Sequence, residues 1–592
     1  QFKHDPIARQ KYSPDVSWHV IRSYIKGTNS EFYLEPTDYQ DIEQKQQTVS
    51  DETFKLVYDK VWEWYKELCN QHKLWDDQDL ARLVLSENLV EPSFAAIFCD
   101  ESQDFTRLEL EVILRLSLFS NKRIESHEIR HIPFVFAGDQ FQTLNPTGFR
   151  WEATKAQFVE KFIFALETHT PDQHNVEMNY KELSYNFRSA PPIVRFSNIV
   201  QVLRALLFKL NSLCPQIAWG QSTANYSPVM RFSIHDKDVW QSIKKFKDIV
   251  FIVPCAENEE TDYIQKHPFL KTYIQVNEDG STSLPVLSAS RAKGLEFNRV
   301  VVLDFASHIP QKLSDILARY KDQDINMESD LALQYFLNRL YVAVTRAKRQ
   351  LIILDTDNSL QDFWRYFADP NNSLPLHYLR QSKEIWQSQL GVIADMPLSA
   401  ITDTDNNEDN ALDNAREFAR NGRDQKDAYL LRQAGSLFRQ VDEQLDSLLC
   451  FAEACQLDKH FPQAANYFIQ ANSFDDAFLC YWRGQKSTWG ELLNVANKKA
   501  SLEARLEFRF ASLYRNTRAN EQEIVKLFTV LSKNIKQVIL DEDEDLKAWQ
   551  YLSEYLLNRL VKAKTPQSWS EVSKALSTIC QQQPLFKAII LL

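Results

Sequence analysis

The spacing of apolar and polar positions changes character three times along this chain. Up to about residue 90 the apolar positions recur at helical spacing. Phe54-Lys-Leu-Val-Tyr-Asp-Lys-Val-Trp-Glu-Trp-Tyr-Lys-Glu-Leu68 is the clearest case and predicts an amphipathic helix. From about 94 to 360, short β-rich apolar runs alternate with helical patterns. The runs are Phe94–Cys99, Ile132–Ala137, Asp248–Val253, Val300–Leu303 and Gln350–Leu354. Such alternation predicts parallel sheet flanked by helices. A polar, acidic stretch from Ile401 to Asn410 reads as part of a linker. Beyond it the pattern is helical throughout. There Ala434, Phe438, Gln440, Asp446, Leu449 and Cys450 recur 30 positions later as Ala464, Phe468, Gln470, Asp476, Leu479 and Cys480. That period suggests stacked helix pairs of the tetratricopeptide kind, with an irregular helical bundle as the alternative.

Composition narrows the class. The chain has 592 residues, enough for three or four domains, and a formal charge of −12, which argues against a generally basic nucleic-acid coat. Its eight cysteines form no CxxC pair, which suggests free thiols in a reducing, intracellular setting (cytoplasm, nucleus or nucleoid). No apolar run approaches a membrane span, and the first residues do not read as a signal peptide. Only 11 glycines occur and none is followed by lysine, so the phosphate-loop pattern GxxxxGK[ST] is absent from these residues.

Candidate chemistry begins where the first apolar run ends, at Asp100-Glu101-Ser102-Gln103-Asp104. A nucleotide-hydrolysing site needs one carboxylate for a magnesium ion and another to orient or deprotonate water, and adjacent acids at a strand's end can supply both. A second apolar run leads into Gly138-Asp139-Gln140-Phe141-Gln142, where the Gln142 amide is suited to sense a γ-phosphate. Three more clusters follow in order: Asn186-Phe187-Arg188-Ser189, Ala292-Lys293-Gly294-Leu295-Glu296-Phe297 and Tyr341-Val-Ala-Val-Thr-Arg-Ala-Lys348. Arg188 and Arg346 are candidates for gathering charge on a transferring phosphoryl group.

In this order and spacing the five clusters resemble motifs II to VI of superfamily 1 helicases of the UvrD/Rep type, over roughly residues 75–360. The phrase Gln142-Thr-Leu-Asn-Pro-Thr-Gly-Phe-Arg-Trp151 and the helical tail most resemble UvrD-like proteins with tetratricopeptide repeats. The resemblance implies an α/β plus all-α protein: two RecA-like domains, the first incomplete, then a helical-repeat domain. It implies an ATP-dependent translocase or helicase using ATP and Mg2+ on single-stranded DNA or RNA, with a protein partner for the repeats.

The site residues carry over position by position. Asp100 would hold magnesium, Glu101 would act as catalytic base, and Gln142 would couple the γ-phosphate to the nucleic-acid side. Phe187 stands where the family stacks a tyrosine on adenine, Arg188 would contact the γ-phosphate, and Glu296, beside Gly294, would bind ribose. Arg346 would be the arginine finger. Phe149 and Trp151 are the candidates for stacking on nucleic-acid bases. The expected domains are 1–90 (helical remnant of the 1B and 1A regions), 91–180 (rest of 1A), 181–375 (2A with reduced 2B), 376–425 (linker) and 426–592 (helical repeats). Without a phosphate loop, the chain alone is expected to be largely inactive. The alternative is a catalytically inactive helicase-like scaffold that binds nucleic acid and recruits a partner through its repeats.

Overall fold

The run Ile249-Val-Phe-Ile-Val253 is buried at every position, as a central strand of a parallel sheet covered on both faces must be. In the computed structural model it is β6 of a six-stranded, all-parallel sheet ordered β10-β5-β9-β8-β6-β7. The strands are β5 (Val229–Ser233), β6 (Ile249–Val253), β7 (Val286–Ser288), β8 (Phe297–Leu303), β9 (Ala347–Asp355) and β10 (Ile393–Ala394). Two smaller parallel pairs precede it. One joins β1 (Ile97–Cys99) to β2 (Phe134–Phe136), and the other joins β3 (Tyr185–Asn186) to β4 (Ile217–Ala218). The protein is therefore mixed α/β with a parallel sheet and many helices. The structure describes residues 14–42, 47–118, 134–144, 181–208, 213–219, 226–310, 331–376, 383–396 and 407–483, with isolated positions besides.

The chain divides into two units, residues 1–275 with 284–405, and residues 276–283 with 406–592. In the first, the elements described before β1 are all helical. The expected amphipathic helix lies within one helical run, Asp51–Val57, Tyr58–Trp62 in π geometry, and Glu63–His72. Its apolar stripe packs with Val20, Ile21, Tyr24, Ile25 and Tyr39, and with Leu331 and Tyr335 of the Leu331–Thr345 helix. Two buried cations fasten this layer: Arg22 pairs with Asp77 at 2.9 Å and Glu109 at 3.0 Å, and Lys26 pairs with Asp76 at 2.5 Å and Asp79 at 2.7 Å.

In the second unit, the helices Asn407–Asp424, Ala428–Gln440, Gln444–Leu457, Phe461–Gln470 and Phe474–Arg483 follow one another through tight turns. Positions related by 30 residues are buried alike: Ala434 with Ala464, Phe438 with Phe468, Cys450 with Cys480. Asp442 and Asn472, also 30 apart, both take the left-handed conformation in equivalent turns. The turn Val276–Ser283 belongs to this unit, and its Thr282 hydroxyl donates to buried Gln433 at 2.9 Å.

One expectation needs correction. Most of the stretch 376–425, expected to be linker, is structured: the Lys383–Gln389 helix, strand β10 and the Asn407–Asp424 helix occupy it. Acidic and amide residues at a helix start are compatible with helix, because they favour its positive end. Among the described residues no helix is long and apolar enough to cross a membrane, and the seven described cysteines are all free.

Candidate functional site

At the end of β1 the backbone turns sharply and exposes Asp100 and Glu101, with Glu101 in the left-handed region at φ 51°. The Glu101 backbone N–H donates to Asp100 Oδ1 at 2.9 Å. The next two residues, Ser102 and Gln103, are wholly buried and lock the turn to its neighbour strand. The Ser102 N–H donates to the Ala137 carbonyl at 2.8 Å. The Gln103 amide oxygen accepts from the Asp139 N–H at 3.0 Å, and its amide nitrogen donates to the Glu101 carboxylate. Gly138 is required here by space: a Cβ would lie 2.2 Å from the Gln103 amide oxygen. The two motifs at the ends of β1 and β2 are thus one hydrogen-bonded assembly.

Asp139 orders the following turn. Its carboxylate caps the Phe141 N–H at 2.9 Å and accepts from Gln142 Nε2 at 3.1 Å. The Gln142 amide oxygen is thereby presented to Arg346, whose Nη2 donates to it at 3.0 Å. Arg346 is almost fully buried; its other donors reach the carbonyls of Val342 and Leu295 and the Thr345 hydroxyl. Burial above all, and then the neighbouring Arg188 charge, lower its pKa to about 10, so it stays cationic at neutral pH.

Arg188 follows β3 and pairs through Nε with Glu296 Oε1 at 2.5 Å. Its backbone is held by Asn186, whose side chain accepts from the N–H groups of Arg188 and Ser189 at 3.0 and 2.9 Å. Glu296 leads into β8 after a turn at Gly294, where φ is +81°, a conformation L side chains rarely adopt. Just before that glycine, Lys293 reaches back to the β1 turn. Its ammonium contacts Asp104 at 2.5 Å and Glu101 at 3.8 Å. Burial raises the pKa of Asp104, against the opposing pull of Lys293.

The sequence candidates therefore do not stand alone. Arg346 bonds Gln142 directly and Arg188 pairs with Glu296. Glu101 connects to the Gln142 turn through Gln103 and Asp139, and Asp100 lies in the same turn as Glu101. Phe187 is exposed and faces Trp219. Phe149 and Trp151 lie outside the described residues.

Several positioning residues were not singled out by the sequence. Lys293 and Asp104 lie inside motifs, yet their pairing across 189 positions depends on the fold. Arg204 is fully buried in the Pro191–Leu207 helix. It donates to the Phe141 carbonyl at 3.0 Å, Asn338 Oδ1 at 2.8 Å and Gln201 Oε1 at 2.7 Å. It also lies over the rings of Phe141 and Tyr341. Asn338 in turn donates to the Thr143 carbonyl at 2.8 Å. These contacts fix the Gln142 segment from behind.

Among the described residues no group of three or more His, Cys, Asp or Glu side chains is arranged to hold a metal ion. A magnesium ion that arrives with phosphates takes one or two protein carboxylates, and Asp100 fits that need with one oxygen engaged by a backbone N–H. No protein-family model matches the chain, and no match is found among curated proteins.

Proposed function

We propose that the first unit is the ATP-hydrolysing core of a superfamily 1 translocase of the UvrD/Rep type, with two RecA-like halves, acting on single-stranded DNA or RNA. The observation that carries this reading is the hydrogen bond from Arg346 to Gln142, which joins the expected γ-phosphate sensor to the expected arginine finger across 204 positions. A γ-phosphate placed against this pair would meet the Arg346 guanidinium, the Gln142 amide and the neighbouring Arg188 guanidinium.

Glu101 would draw the proton from the attacking water. Asp100 would hold the Mg2+ ion, which neutralises phosphate charge. Lys293 is bonded to Asp104 and close to Glu101, so any movement of the Gly294 turn changes the charge beside the catalytic base. The helical unit would recruit a protein partner.

The second reading, a non-catalytic clamp, is favoured by the absence of any glycine–lysine pair from these 592 residues. Binding of a fluorescent ATP analogue to the wild-type protein and to Arg346→Ala separates the two. Saturable binding that weakens in the variant supports the motor; absence of binding in both removes it.

A further inference from the structure

The short segment Val276–Ser283 folds with the helical unit, although the residues before and after it fold with the first. It is a tight hairpin. Val276 bridges antiparallel to Thr282, the Asn277 N–H donates to the Ser281 carbonyl at 2.8 Å, and Gly280 takes a φ of +78° that L side chains disfavour. The hairpin lies on one face of the Ala428–Gln440 helix. Its Thr282 hydroxyl donates to Gln433, the Ser436 hydroxyl donates to the Thr282 carbonyl at 3.4 Å, and Arg439 pairs with Asp279 at 3.6 Å. The spacing of these helix positions keeps the contacts on a common side. Ser281 and Thr282 are fully buried.

The hairpin's exit leads straight to the candidate site. Leu284 and Pro285 carry the chain into β7, with the Pro285 carbonyl accepting from the Phe251 N–H at 2.8 Å. β7 is three residues long and stands at the edge of the sheet beside β6. It passes without a loop into the helix Ala289–Ala292, which Ser288 caps, and the next residue is Lys293. Lys293 holds Asp104 and lies near Glu101. An edge strand this short has few bonds of its own, so anchorage at its entry is a large part of what holds it.

We infer that the Val276–Ser283 hairpin is a clasp through which the helical unit regulates the contact of Lys293 with Asp104 and Glu101. Its docking is polar, and polar contacts trade for water on release, so the clasp can open without unfolding the helix beneath it. Closed, it holds β7 and the Ala289–Ala292 turn at their entry and keeps Lys293 on the carboxylates. Open, it frees Lys293 to leave them. A ligand of the helical unit that binds one form better than the other shifts this balance by the difference in affinity. The clasp stands on the contacts described, while its effect on ATP turnover rests on the nucleotide reading given above.

The test uses the 592-residue protein and hydrogen exchange read by mass spectrometry, with the acylation rate of Lys293 as a second readout. Thr282→Val takes the donor away from the buried Gln433 amide oxygen, and Gln433→Leu removes the acceptor. Either change should quicken exchange about ten-fold in residues 276–283 and in residues 286–294, and should speed acylation of Lys293, with β9 unchanged. The double variant sets two apolar groups together and should return both readouts most of the way to wild type. Quickening confined to 276–283 overturns the inference, as does no quickening at all. Equal quickening in β9 also overturns it, because the contact would then support the whole fold, and so does a double variant that restores nothing. A fluorescent ATP analogue tests the nucleotide reading on the same proteins. If the wild-type protein does not bind it, the effect on turnover is refuted, and the exchange data decide the clasp alone.

Discussion

Replacing Gly138 by alanine tests whether the β1 and β2 turns act as one assembly. The added methyl would sit 2.2 Å from the Gln103 amide oxygen, with the backbone nitrogens of Ser102 and Gln103 at 3.1 and 3.3 Å. The first contact is short of ordinary van der Waals separation by about 1 Å or more, while the other two need shifts of only a few tenths of an ångström. Gln103 is wholly buried, so its side chain cannot swing into solvent. Displacing it orphans the Asp139 N–H and removes the donor from Glu101. Overpacking costs roughly 1–3 kcal/mol and the loss of a part-buried hydrogen bond roughly 1 more, so Gly138→Ala should destabilise by about 3 kcal/mol. Gln103→Ala alone should cost about 1–2 kcal/mol through the same lost hydrogen bonds.

In the double variant the clash has no partner and the hydrogen bonds are already gone. The total should then fall below the sum of the single variants by about 2–3 kcal/mol. Urea unfolding followed by tryptophan fluorescence measures all four corners of this cycle. Hydrogen exchange at residues 138–142 should quicken equally in both single variants. Additive costs, agreeing within about 0.5 kcal/mol, would show that Gly138 and Gln103 do not share this contact.

Two further perturbations follow from the same structure. Arg204→Met leaves the Phe141 carbonyl, Asn338 and Gln201 without their buried cationic donor. It should cost roughly 3–5 kcal/mol and free the Gln142 segment, visible as faster exchange at residues 141–144, with Arg204→Lys recovering only part; a loss under about 1 kcal/mol by urea unfolding contradicts this. Asp304 is buried, yet hydrogen bonds from His267, Ser307 and Tyr263 outweigh burial and hold its pKa below the usual 3.8. A depressed carboxylate stabilises the fold above pH 3.8, and that contribution is lost as pH falls through the folded value. Asp304→Asn should therefore flatten the dependence of stability on pH below about 4 while lowering stability at neutral pH, and an unchanged acid limb in a pH-resolved urea series counts against it.

The legible parts of the fold were those with an unambiguous local signature. The five apolar runs were readable because they are continuously apolar, and β1, β2, β6, β8 and β9 lie within or upon them; β6 and most of β8 and β9 are buried on both faces, whereas β1 and β2 are only partly covered. Strand β5 escaped because Val229-Met-Arg-Phe-Ser233 carries a charge in its middle, which Asp395 meets at 2.7 Å. β10 is two residues long and has no periodicity to read. At the candidate site, the motif residues were readable because their chemistry and order are distinctive. Lys293, Asp104 and Arg204 gain their importance only from partners remote in sequence. A buried arginine in a helix looks like any other arginine until the fold supplies its acceptors.

The strand order has a consequence for how the protein is made. β5 pairs with β9 on one side and β10 on the other, and neither exists when β5 is synthesised. More than a hundred residues separate the end of β5 from the start of β9. At roughly 5–20 residues per second the ribosome needs on the order of ten seconds to deliver that neighbour. Throughout that interval Val229 and Met230, fully buried in the finished sheet, belong to a strand with no partner on either side. Unpaired apolar strands are templates for association with other chains. The nascent protein thus passes through a window in which chaperone binding or a slowed codon tract would govern its yield.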